Sequence, residues 1–295
     1  MTPASYVMVP GTDGVELALY DLSSPDVGAG SPVVVLCHAT GFCAQAWNPL
    51  AAGLRQHADE PLRILALDFR AHGRSSAPAD GNLSWVGVAR DVRSLLDHFE
   101  VEQAFGIGHS MGGAALILAE LDRPETFSGI WAFEPIVIPP EMMEHDNEGN
   151  FLSMSAARRR PRFDSLDAAR ANFESKPPMM TFVPGALEGY LDGGFEPHPD
   201  GSVTLRCLPQ NEAEFYMMGG RNDAWLRLGE VATPTWIVMG SDAFPGPPTF
   251  APLVADRLPK GQLVVYPDMS HFGPFEAPET LAVHALSAMD VSPPA

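Results

Sequence analysis

Gly108-His109-Ser110-Met111-Gly112-Gly113 decides how this chain folds, because an apolar run leads into it and a helical pattern leads out. The run 104–108 reads as a buried strand, and Met111–Asp122 reads as a helix. A strand that becomes a helix within one residue forces strained backbone on Ser110. Gly108 and Gly112 remove the side chains that would collide there. The Ser110 hydroxyl is thereby lifted clear of the sheet, over the positive end of the helix. This is G-x-S-x-G in the strand–turn–helix setting that gives the pattern chemical meaning. A glycine-rich turn with an idle serine carries the same letters, so the neighbouring residues must decide. The overlapping Gly106-x-Gly108-x-x-Met111 falls short of a dinucleotide fingerprint. Its third position is not glycine or alanine, and it lies on the third βα turn, not the first.

Outward from this turn, strand and helix patterns alternate as they do around a mostly parallel sheet. Segments 6–10 and 15–21 read as an opening hairpin around Gly11-Thr12-Asp13-Gly14. Val33–Cys37 and 62–67 are short apolar runs suited to strands covered on both faces. Helices are expected over 47–57 and 84–99, the second capped by Ser84, and a further strand over 129–133. The texture then changes. Residues 135–230 hold paired methionines, prolines and an arginine cluster, with weak helical pieces and no clear buried strand. Strand patterns return at Thr235–Met239 and 263–266, before a closing helix over 278–289, and Pro245–Pro248 reads as a local breaker. The expected division is a core of 1–134 and 231–295 with 135–230 inserted as a cap.

A serine hydroxyl is a weak nucleophile until a base takes its proton. Of the nine histidines, His271 is best placed, in the loop 267–273 between the last strand and the last helix. His109 diverges from its neighbour at the turn, whereas His38 and His72 follow other strands and are expected to brace loops. The base in turn needs a carboxylate to hold its tautomer. Asp242, in Gly240-Ser241-Asp242 after one strand, and Glu134, ending another, are both candidates, with Asp242 preferred.

Five features together resemble the α/β-hydrolase superfamily, in the capped bacterial serine-hydrolase form. They are His38-Ala39-Thr40-Gly41-Phe42, Asp68-Phe69-Arg70-Ala71-His72-Gly73-Arg74-Ser75, the Ser110 turn, Asp242 and His271, in that order along nearly the whole chain. The resemblance implies a mostly parallel eight-stranded sheet with helices on both faces and a helical cap insertion. It also implies a Ser–acid–His order of catalytic residues and an oxyanion hole from the N–H groups of Met111 and Thr40. The chain departs from the pattern at Ala39 and Ala71, where glycine is usual, and in the single residue Ser241 between Gly240 and Asp242. Several branches carry the acid at the position of Glu134. Relatives with epoxide hydrolase or dehalogenase chemistry have aspartate where Ser110 stands.

The expected reaction is hydrolysis of a carboxylic ester or lactone through a Ser110 acyl-enzyme. The alternatives are C–C bond hydrolysis or acyl transfer on the same triad, and a slow-turnover ligand-binding receptor on the same fold. Phe42, His109, Met142, Met143, Met179 and Met180 are candidate substrate contacts, since methionine adapts to irregular apolar groups. Arg158 and Arg159, within the cluster 158–162, are candidate anchors for a substrate carboxylate, as in a monoester.

Composition narrows the partners. Lys and Arg number 18 against 37 Asp and Glu, a net charge of −19, which repels nucleic acid and anionic membranes. With 45% hydrophobic and 19% charged residues, the chain has the means to build a core and is not a disordered sequence. Cys37, Cys43 and Cys207 lack metal-site spacing and are expected as reduced thiols. No metal and no cofactor are expected. The stretch before Arg55 lacks basic residues, and no apolar run has the length of a membrane span, so a cytoplasmic protein is expected.

Overall fold

Order along the chain alternates strand and helix in the computed structural model, which describes residues 5–143, 151–240 and 247–290. β1 (Tyr6–Pro10) and β2 (Glu16–Asp21) form the antiparallel hairpin. There follow β3 (Val33–Cys37), α1 (Asn48–His57), β4 (Arg63–Leu67), α2 (Trp85–His98), β5 (Ala104–His109), α3 (Met111–Asp122) and β6 (Phe127–Phe133). The excursion after β6 carries α4 (Phe151–Ala157), β7 (Arg162–Phe163), α5 (Leu166–Glu174) and α6 (Pro184–Gly194). It continues through β8 (Phe195–Pro197), β9 (Val203–Leu205), α7 (Pro209–Met218) and α8 (Ala224–Arg227). The chain then returns as β10 (Thr235–Met239), α9 (Pro247–Arg257), β11 (Gly261–Val265), α10 (Gly273–Glu276) and α11 (Pro278–Asp290).

Eight strands form one sheet in the order β1-β2-β4-β3-β5-β6-β10-β11, antiparallel only at β1–β2 and β2–β4. The continuous apolar runs follow from burial on both faces. Along β3, Val35 and Cys37 join one apolar cluster with α2 and α3, while Val34 and Leu36 join another with α1 and α11. β4 and β10 divide in the same way: Leu65, Leu67, Ile237 and Met239 face the first cluster, and Ile64, Ala66, Trp236 and Val238 the second. The α/β-hydrolase architecture is therefore present as the sequence resemblance implied. Among the described residues no helix is long and apolar enough to cross a membrane.

One local expectation needs correction. The excursion is not purely helical, because β7, β9 and β8 form a small antiparallel sheet. Strands of two or three residues are too short to display an alternating pattern, which is why none was legible. Of the expected breaker 245–248, residues 245 and 246 lie outside the described residues, and α9 opens at Pro247. A helix's first N–H groups have no intrahelical acceptor, so proline is tolerated there. Ser84 does cap α2, its hydroxyl accepting from the Gly87 N–H at 3.3 Å.

The excursion is fastened to the core beside the Ser110 turn. Phe163, Phe182, Tyr190 and Phe195 form a third apolar cluster with Ala39, Phe42 and Ala46 of the loop after β3, and with Phe275 of α10. The loop after β4 is held separately. Arg70, fully buried, forks onto Asp91 of α2 (2.8 to 3.2 Å) and also reaches Asp13 at 2.8 Å. Removing one member of such a pair leaves an uncompensated buried charge, which costs about 3–5 kcal/mol. Ala71 in this loop has φ 58°, the left-handed conformation that the more usual glycine adopts without strain.

Candidate active site

Ser110 sits between β5 and α3 at φ 55° and ψ −115°, the strained turn expected from its glycine neighbours. Both glycines are required by close approach. A Cβ on Gly112 would lie 2.1 Å from the Cys37 carbonyl oxygen, and one on Gly108 would lie 2.6 Å from the Gly113 nitrogen. The turn is pinned by the Ser110 N–H donating to the Phe133 carbonyl at 2.9 Å. β6 therefore supports the Ser110 position directly.

His271 lies in the loop between β11 and α10. Its Nδ1 is 2.5 Å from Glu134 Oε2. A carboxylate accepts, so Nδ1 carries the proton, and it is Nε2 whose lone pair a general base would use. Glu134 ends β6 at φ 44° and is fully buried. Its other oxygen accepts from the Gly240 N–H at 2.8 Å, while its own N–H donates to Val238 at 2.7 Å. Of the two candidate acids, the structure brings Glu134 to the histidine. Asp242 lies outside the described residues.

His109 is completely buried, and its Nε2–H donates to the His271 carbonyl at 2.8 Å. Burial, and the neighbouring His271, hold its pKa well below the usual histidine value. A residue in that position braces the base loop. Its full burial leaves no exposed face of the ring for the contact role expected of it.

Thr40 and Met111 are the candidate oxyanion donors, and neither N–H has a backbone acceptor among the described residues. Met111 opens α3, where the N–H has no intrahelical acceptor. In the turn after β3, the Gly41 N–H is committed to His72 Nε2 at 2.9 Å and the Phe42 N–H to the Ala39 carbonyl at 3.1 Å. Among the described residues the Thr40 N–H is not engaged in this way. The Thr40 hydroxyl is directed to Met111 Sδ at 3.3 Å, which ties the two donor residues together.

His38 and His72 brace these loops as expected. The Phe69 N–H donates to His38 Nε2 at 3.0 Å, so Nδ1 carries the proton, 2.8 Å from the Ala39 carbonyl. His72 is fixed likewise, its Nδ1–H donating to the Arg70 carbonyl at 3.0 Å. Burial pushes the His72 pKa down to about 4 from 6.5. Between those values the unfolded chain binds the proton and the folded one does not. Stability from this group is therefore complete above about pH 6.5 and lost as pH falls towards 4, by about 3 kcal/mol at most. His72→Gln, whose amide can keep both hydrogen bonds, is expected to flatten the fall in Tm from pH 6.5 to 4. Equal losses in variant and wild type would remove His72 from the account.

The remaining predicted contacts divide. Phe42 stacks on Phe275 at 4.8 Å and also meets Tyr190 and Phe182 at 5.5 and 6.1 Å. Met179 is buried in the same cluster, whereas Met142 and Met180 are exposed and Met143 packs beside Gly220. Arg158 is exposed. Arg159 is engaged with Glu212 and with the Tyr190 hydroxyl, which burial pushes up to about 12. Arg160 pairs with Asp164, and Arg162 with Asp200. Glu212 and Tyr190 had no sequence signal, since nothing in a lone acid or tyrosine marks it as buried against a distant arginine.

A serine on a strained strand–helix turn, a carboxylate-held histidine and two N–H groups without backbone acceptors make a candidate hydrolase site. Residues 34–284 match the family model described as "Alpha/beta hydrolase family", and the chain belongs to that family. A curated relative is the 2-hydroxy-6-oxononadienedioate/2-hydroxy-6-oxononatrienedioate hydrolase of Paraburkholderia xenovorans (strain LB400). It is 26% identical over 219 residues, covering 74% of this chain and 72% of the relative. Among solved structures, E-2-(acetamidomethylene)succinate hydrolase superposes with a TM-score of 0.74 at 18% identity, over 97% of this chain and 100% of that one. The enol-lactonase from Burkholderia xenovorans LB400 has a TM-score of 0.71 at 18% identity, over 97% and 100%. At these identities the two structural likenesses concern the fold.

Proposed function

We propose that the protein hydrolyses a carboxylic ester or lactone through an acyl-enzyme on Ser110, with His271 as base and Glu134 as its orienting acid. The observation that carries this reading is the 2.5 Å contact of His271 Nδ1 with Glu134, in a loop braced by the residue next to Ser110. Ser110 Oγ attacks the carbonyl carbon while His271 Nε2 takes its proton. The oxygen becomes an anion facing the Thr40 and Met111 N–H groups. On collapse the alkoxide leaves with the proton from His271. Water then enters by the same route, losing a proton to His271 and releasing the acid and Ser110. The excursion 135–230 acts as the cap, its aromatic cluster with Phe42 closing the apolar side.

The C–C reading has one specific support, the dioate hydrolase named above. On that reading the carbonyl carbon is attacked and a carbon leaving group, stabilised as an enol or dienol, takes the proton from His271. The two readings are separated by kcat/KM on p-nitrophenyl esters, an enol lactone and a 2-hydroxy-6-oxo-dienoate, each with a stopped-flow burst measurement. Rapid multiple turnover of ester or lactone is the expected result. Turnover confined to the dienoate transfers the assignment to C–C cleavage, and a single slow burst with every substrate overturns both in favour of a receptor.

A further inference from the structure

The reaction scheme leaves a largely buried ion pair unused, Arg159 partly exposed and Glu212 buried, and that pair is built against the loop of Thr40. Arg159 follows α4, and Glu212 lies in the first turn of α7. Arg159 Nη1 donates to Glu212 Oε2, and Nη2 donates to the Tyr190 hydroxyl at 2.8 Å. The Glu212 side chain is 6% exposed and that of Arg159 23%. A Cβ on Gly41 would lie 2.7 Å from Glu212 Oε1 and 3.4 Å from Arg159 Nη1. Both charges therefore stand over the residue that follows Thr40, whose N–H faces the developing oxyanion. A lone carboxylate there opposes negative charge in the site and a lone guanidinium favours it. Paired, they cancel.

We propose that Arg159 and Glu212 are a specificity-determining pair that sets the charge of the oxyanion loop, with Glu212 occupying the arginine so that the site selects neutral over carboxylate-bearing acyl groups. Arg159 is thus not a free anchor for a substrate carboxylate. It becomes one when Glu212 loses its charge. An uncompensated unit charge beside the site, at an effective dielectric of about 20, changes reactivity by on the order of tenfold or more.

The inference rests on Ser110 as nucleophile and Thr40 as oxyanion donor, and its test reads those separately. An alkyl fluorophosphonate and its ω-carboxylate counterpart are compared by their second-order rate constants for inactivation. In each, the Ser110 Oγ–P bond forms, the P–F bond breaks, fluoride leaves and the serine proton passes to His271. The phosphoryl oxygen takes the oxyanion position. Wild type is expected to react faster with the neutral probe. Glu212→Gln should raise the carboxylate-to-neutral ratio about tenfold, Arg159→Gln should lower it by a similar factor, and the double variant should return it to within about threefold of wild type. Each ratio comes from one sample, so the fraction of folded protein cancels. Failure of both probes to label Ser110 in wild type sinks the nucleophile reading and this inference with it. Labelling with a ratio that stays within about twofold across all four proteins, or a wild type that favours the carboxylate probe, overturns this inference alone.

Discussion

Ser110→Ala is expected to lower kcat by roughly 10³-fold or more while leaving the fold intact. The size of the effect follows from chemistry, since without Oγ no acyl-enzyme forms and only binding and the oxyanion donors remain. The intact fold follows from geometry. Ser110 is held by its backbone, through the N–H to Phe133 and the carbonyl that accepts from Ile136 at 3.3 Å. Among the described residues no hydrogen bond of its hydroxyl supports the structure. Alanine retains the Cβ, so the strain at φ 55° is unchanged. Unfolding free energy should therefore stay within about 0.5 kcal/mol of wild type. Ester turnover by the purified variant and a denaturant titration make the measurement, and wild-type turnover would remove Ser110 from the mechanism.

Glu134→Gln is expected to cost about 10³–10⁴-fold in kcat, and Asp242→Asn no more than about tenfold. The asymmetry comes from what the two oxygens of Glu134 do. One accepts from His271 Nδ1–H and the other from the Gly240 N–H. A carboxamide has a single acceptor oxygen, so its NH₂ must face one of those donors. If it faces the imidazole, the proton is driven to Nε2, and the base loses the lone pair that Ser110 needs. If it faces Gly240, a buried N–H is left without an acceptor and the loop after β10 is unpinned, at about 1–3 kcal/mol. Asp242→Asn leaves the Glu134–His271 contact in place. The deciding comparison is kcat for the two variants on one ester, and the reverse ranking would return the role to Asp242.

How much of this was legible depends on the range over which each feature is encoded. The Ser110 turn could be read because its constraint is local: Gly108 and Gly112 flank the strained residue within it. His38 and His72 were read as braces from their positions after strands, and each does fix a loop through both ring nitrogens. β7, β8 and β9 escaped because two or three residues cannot show a period. The bracing role of His109 escaped for a related reason. Its side-chain direction depends on where the loop of His271 crosses it, which no local pattern records.

What the sequence determined by itself, then, is what short-range stereochemistry dictates: the apolar runs of strands covered on both faces, the alternation that makes the sheet parallel, and the glycine spacing that exposes Ser110. The choice of acid was left to tertiary structure. Glu134 and Asp242 both follow strands, β6 and β10, that are neighbours in the sheet, so strand-end position alone favours neither. What favours Glu134 is where the loop carrying His271 comes down, since Glu134 meets it across 137 residues of chain. Arg159 and Glu212 are likewise 53 residues apart and meet only because the excursion folds back onto Gly41. A hydrogen bond or an ion pair acts over a few ångströms of space, and only the packing of the sheet and excursion turns separation along the chain into that distance.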